Sequence, residues 1–154
     1  MSAPSLGYED DTRLTKSDVA RIQLDEAIAL FVEGRFLPAL TLAGAAEEIF
    51  GKLIVRLSAM PVVKESAQAI QHLRQKTGLS VMSGKTEREL IDEWNVARNA
   101  VKHLIGPEDD LLTLNLCDEA YWMIRRALAN AEKLGATISN KDEFENWIIV
   151  NVAT

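Results

Sequence analysis

Arg98, Asn99 and His103 stand within "WNVARNAVKHLIG", residues 94–106. Histidine is the side chain whose ordinary pKa, about 6.5, lets it take and give a proton near neutral pH. An arginine fork stabilises charge building up on phosphate or carboxylate oxygens. A carboxamide can orient the imidazole or hold an oxygen. Together the three residue types suit proton transfer on an anionic substrate. The other histidine, His72 in "IQHLRQK", reads as exposed helix surface, so His103 is the candidate acid or base.

The elements that must position these groups are helices. The stretch "KSDVARIQLDEAIALFVEG" predicts a first helix with Ser17 as N-cap and Gly34 at its close. A second, central helix carries Pro38 in its first turn and the small residues Ala43, Gly44, Ala45 and Ala46, which let a neighbour approach closely; Pro61 is expected to end it. A third helix runs from about Val62 to Lys76, and "LSVMSGK" is a loop. The fourth opens on the capping box Thr86-x-x-Glu89 and is expected to run to Gly106-Pro107. A fifth spans roughly Asp109 to Gly135, and "NKDEFENWIIVN" favours a last helix over a strand at "WIIV". The fold class expected is all-α, an antiparallel helical bundle of four main helices plus one or two short ones. Residues 1–15 read as a disordered N-terminal arm and 16–154 as a single domain.

On a continuous fourth helix, Leu90, Trp94, Ala97, Val101 and Leu104 form the apolar stripe, with Arg98 at its border. Asn99 and His103 share the opposite face, which leaves Arg98 and His103 about 140° apart. One straight helix therefore does not aim both at one substrate atom. A tightened last turn, the length of the arginine, or a second copy of the helix must bridge them.

Composition narrows the chemistry further. The single cysteine, Cys117, forbids an intrachain disulfide and lies on an apolar stripe, as an inert core thiol would. One cysteine and two histidines cannot build a Cys/His zinc site, and no phosphate-binding loop, dinucleotide fingerprint or serine-hydrolase elbow is present. No metal or other cofactor is expected. A net charge of −6 disfavours a nonspecific nucleic-acid coat but leaves room for a local basic cleft. Without an apolar leader or a membrane-length apolar run, the expected setting is cytoplasmic, with no membrane partner. Trp94, Tyr121 and Trp122 fall at core or core-edge positions, where packing is the default role.

An arginine followed directly by Asn, Asp or His, and after four to six intervening residues by His, should arise roughly 0.04 times in such a composition, so the pattern carries information. In an all-helical chain of this size it resembles the HEPN superfamily, whose ribonuclease motif has this form. The small-residue, glutamate-bearing helix "LTLAGAAEEIFGKLI" is similar to the second helix common in these domains. The resemblance implies a metal-independent endoribonuclease, of the toxin–antitoxin or phage-defence kind, in which a ribose 2′-oxygen attacks the adjacent phosphorus. Arg98 and His103 would carry catalysis, with Asn99 orienting or holding an oxygen. Lys102, Glu48 and Lys52 are the candidate substrate-binding residues, Glu48 being preferred to Glu47 as the carboxylate lining a cleft. The implied partners are RNA, a second copy of the chain in a homodimer, and an antitoxin or other regulatory protein. Members controlled by nucleotidyl transfer carry a tyrosine two residues after the motif histidine; Ile105 occupies that position, which argues against that control. The alternative is a non-catalytic HEPN-like module that binds a nucleotide or a protein partner.

Overall fold

The computed structural model describes residues 3–79 and 81–152. Among them, seven α-helices form a bundle: α1 (Lys16–Val32), α2 (Phe36–Arg56), α3 (Val62–Thr77), α4 (Glu87–Trp94), α5 (Val96–Ala100), α6 (Leu116–Lys133) and α7 (Lys141–Asn151). A 3-10 turn, Val81–Gly84, joins α3 to α4, and no strand is present among the described residues. Residues 3–14 are exposed and carry no regular structure. No helix among the described residues is long and apolar enough to cross a membrane.

Helix ends follow local chemistry, in places against the sequence expectation. The N-cap of α1 is Thr15, not Ser17: Thr15 Oγ1 accepts from the Asp18 amide at 3.0 Å, and the Asp18 carboxylate accepts from the Thr15 amide at 3.0 Å. A capping box needs its acidic partner three residues on, and Ser17 would find Ala20 there. Helix α2 stops at Arg56, ahead of Pro61, because Ser58 turns left-handed (φ 57°). Pro61 instead sits, extended, just before the first residue of α3. The start of α6 is Leu116, capped by Asn115 Oδ1 on the Asp118 amide at 3.1 Å, rather than Asp109. Asp109 is engaged in a turn, its carboxylate accepting from the Ile105 amide at 3.0 Å and its own amide donating to Gly106 O. The C-terminal segment is helical, as its pattern favours.

Helix α2 is central, packing on α1 and α6 and touching α5. Its buried face is built from Ala39, Leu40, Ala43, Ala46, Phe50 and Ile54, interrupted by Gly44, Glu47 and Gly51. Phe31 anchors the other end of the core, meeting Phe36, Phe144 and Trp147 edge-on at centroid distances of 5.1, 5.4 and 4.7 Å. Through Phe144 and Trp147, α7 is fastened to α1 by aromatic packing.

Candidate functional site

The expected fourth helix is two. Its capping box forms as the sequence predicts, with Thr86 Oγ1 accepting from the Glu89 amide at 3.2 Å and Glu89 accepting from the Thr86 amide at 2.7 Å. The helix then breaks at Asn95, and regular structure ends at Ala100. Arg126 of α6 reaches into this junction. It donates to the Trp94 carbonyl at 3.1 Å and to Asn95 Oδ1 at 2.9 Å. A side chain entering the backbone ladder is one physical cause of a helix kink.

The break delivers Arg98 to a buried carboxylate. Arg98 Nη1 donates to Glu47 Oε2 at 3.0 Å, and Arg126 Nη2 to Glu47 Oε1 at 2.9 Å, so one glutamate is clamped by two guanidinium groups. Glu47 is buried and both arginines are nearly so. Its peptide carbonyl accepts from Asn130 Nδ2 at 3.4 Å, while Asn130 Oδ1 takes the first amide of α3, Val62 N, at 2.9 Å. Gly44 is what lets Arg98 in: a Cβ there would lie 2.6 Å from Arg98 Cγ. At Gly44 the close approach expected of the small-residue stretch is made by an arginine stem.

Glu47, rather than Glu48, is the carboxylate built into the site. Glu48 stands one residue on, partly exposed, bonded to Lys52 Nζ at 2.8 Å and 3.9 Å from Lys102 Nζ. The hydrogen bond from Lys52, opposed by partial desolvation, holds the Glu48 carboxyl below its ordinary range, and the charges of Lys52, Arg98 and Lys102 add to this. Arg98, Lys102, Lys52 and Glu48 are thus neighbours. With Arg126 and Glu47, four cations face two carboxylates, a locally positive cluster in a chain of net charge −6.

Asn99 and His103 lie outside this cluster's buried part. Both side chains are exposed and neither has a hydrogen-bond or ion-pair partner among the described residues. Their one link is through the backbone, where the His103 amide donates to the Asn99 carbonyl at 3.2 Å. Because regular helix ends at Ala100, His103 follows a turn instead of riding the expected helical face. Leu104, expected in the apolar stripe, is exposed for the same reason. The stripe itself holds as far as Val101, with Leu90 and Ala97 buried. Gly106-Pro107 lies in a turn beyond the helix and does not terminate it.

Arg98 has donors to spare. Its Nε is buried without an acceptor, and its Nη2 has no protein acceptor among the described residues. One edge of the fork is fixed by Glu47, so the guanidinium has little rotamer freedom left to lose.

Arg126 and Asn130 are not picked out by sequence reasoning, which weighs Glu47 only to prefer Glu48. A signal exists: Leu40, Gly44, Glu47, Gly51 and Ile54 follow 4, 3, 4, 3 spacing, placing a glutamate in the middle of a buried stripe. A carboxylate at such a position demands cations from a facing helix. His72 is exposed, as expected. Cys117 is half-buried against the core, and burial, with the nearby Asp118 charge, raises its thiol pKa, as suits an unreactive cysteine. Trp122, expected at the core edge, is largely exposed. Comparison of the chain with models of protein families, with curated proteins and with solved structures returns no match.

Proposed function

We propose that this chain is a HEPN-type, metal-independent endoribonuclease of the toxin or phage-defence kind. The observation that carries the reading is the division of labour in Arg98-Asn99-x3-His103. The arginine is braced from behind by a buried glutamate, beside Lys102 and Lys52, while the imidazole is left in solvent with no protein partner. In this reaction the 2′-hydroxyl loses its proton and its oxygen bonds to phosphorus; the P–O5′ bond breaks and the departing 5′-oxygen is protonated. His103 moves the protons, and Arg98 takes the charge that grows on the non-bridging oxygens. Lys102 and Lys52 contact flanking phosphates.

The test is cleavage of RNA by purified protein in EDTA. Fragments are expected to carry 2′,3′-cyclic phosphate and 5′-hydroxyl ends, and His103→Ala should slow cleavage by about a hundred-fold or more while the protein stays folded. Products with 3′-hydroxyl ends, or activity abolished by chelation, would refer the reaction to metal-activated water instead.

A second reading rests on the same ion pair. Arg98 bonded to Glu47 fits an arginine retained for structure, in a helical module that binds a nucleotide or a protein partner without turnover. A nucleotide that raises the melting temperature of a protein lacking ribonuclease activity would select it.

A further inference from the structure

Polar contacts fasten helix α3 near its two ends, and its middle packs inward at the fully buried Ala67. At its start, Val62 N donates to Asn130, and Lys133 bonds Glu65 and the Met60 carbonyl. Toward its close, Gln71 and Arg74 donate to the Lys85 carbonyl. Between these fastenings α3 and α6 stand apart, and a cleft of about 920 Å³ opens between α3, α4 and α6. That lies toward the upper end of the roughly 300–1,000 Å³ usual for small-molecule sites.

The walls are helical stripes that face each other without meeting. On α6 the sequence Glu119, Trp122, Met123, Arg126 has i, i+3, i+4, i+7 spacing. Opposite it, α3 contributes Val63 and Ile70, and Trp94 closes the side from α4. Trp122 leaves 63% of its surface in water, a large exposed indole on the rim of an apolar cleft.

Charge decides what fits. Lys85 is paired with Glu93. Arg126 is committed to Glu47, Asn95 and the Trp94 carbonyl. Glu119 has no hydrogen-bond or ion-pair partner for its carboxylate among the described residues, so the cleft carries one unmatched negative charge beside two indoles. An indole face attracts a cation, and more strongly once water is displaced.

We infer that the α3–α4–α6 cleft is a binding site for an organic cation with an apolar aromatic or aliphatic body, the ammonium directed to Glu119 and the body laid against Trp122 and Trp94. The site is separate from Arg98 and His103, and does not depend on RNA cleavage. Phenethylamine is the simplest probe, with phenethyl alcohol and hydrocinnamate as its neutral and anionic counterparts. The chain has three tryptophans, and the third, Trp147, packs on Phe31 away from the cleft. Nitrogen-labelled protein therefore provides two reporters and an internal control. Titration with phenethylamine is expected to shift the indole N–H signals of Trp94 and Trp122 saturably and leave that of Trp147 in place. The amine should bind more tightly than the alcohol, and the acid least. Glu119→Gln should cost the amine about three- to five-fold in affinity and leave the alcohol unchanged. Ala69→Trp, at an exposed position on the cleft wall, should abolish the shifts of both ligands in a protein that still folds. Equal affinity of amine and alcohol, unaltered by Glu119→Gln, would overturn the inference. So would shifts spread equally to Trp147, or saturation by a basic amphipathic peptide with no response to phenethylamine.

Discussion

At the residue scale, Glu47 organises the site. Removing one member of a buried ion cluster strands the charges that remain, at a cost of several kcal/mol, whereas an exposed pair contributes little. Glu47→Gln is therefore expected to lower unfolding free energy by about 3 kcal/mol in urea titration, leaving Arg98 and Arg126 without their carboxylate. Glu48→Gln, next to it in sequence, should cost only a fraction of that at neutral pH, because Glu48 and its lysine partners are partly exposed. That small cost should disappear in acid. The Glu48 carboxyl is held below the ordinary value of 4.5, so its contribution to stability is complete above that pH and is lost as pH falls through the lower folded value. The glutamine variant should accordingly show a shallower decline of stability below pH 4.5 than the parent, measured by denaturant midpoints across the acid range. Gly44→Ala forms a third case. Its Cβ would meet Arg98 at Cγ, in the stem and not at the mobile tip, so the arginine must move. The expected result is a loss of about 1–3 kcal/mol, with a loss of RNA cleavage, if present, out of proportion to it. Full activity in Gly44→Ala would show that the bracing of Arg98 is immaterial.

At the element scale, what the sequence revealed depended on whether the information was local. The capping box at Thr86, the glycine that closes α1 at Gly34, and the helical pattern of the last segment are short-range signals, and each is present where expected. The bounds of α2 and α6 were misjudged because competing local signals were available. Pro61 can end one helix or precede another, and Asp109 and Asn115 can both cap. The break at Asn95 was not legible at all. Nothing between Glu87 and Ala100 forbids a continuous helix, and the interruption coincides with an arginine 31 residues away in sequence from Asn95. Asn95→Ala tests that account. It removes one of the Arg126 acceptors within the junction, and is expected to cost about 1 kcal/mol in denaturant. Hydrogen exchange should also quicken in α5, whose only regular turn follows the junction. Unchanged exchange from Val96 to Ala100 would show that Arg126 does not maintain the break. Sequence distance likewise explains why Arg98 could be nominated from its motif while its pairing with Glu47 could not: the motif is contiguous and the ion pair spans 51 residues.

At the scale of the molecule, the proposed cleavage asks for more than one chain offers. Arg98 faces inward to Glu47, His103 faces solvent, and a single imidazole cannot be both base and acid in the same step. Next to His103 in sequence, Leu104 and Ile105 are 74% and 84% exposed. Large apolar side chains grouped in solvent suit a contact region. In a two-fold dimer the same patch meets itself, so motifs beside the patch are brought near each other and their histidines are pooled. The expected solution species is accordingly a homodimer by light scattering at assay concentration. Leu104→Glu with Ile105→Glu should convert it to a folded monomer, since neither side chain supports the core. If the site is composite, that monomer has no ribonuclease activity while circular dichroism and thermal stability remain close to the parent's. Mixed dimers of Arg98→Ala with His103→Ala chains would then report which residues act together. The mixed dimer keeps one arginine and one histidine, on different chains, so activity above that of either variant homodimer would show that the two residues act across the interface. A charge-disrupted monomer that cleaves RNA at the parental rate would instead place the whole reaction on one chain, and would leave Leu104 and Ile105 to a different partner.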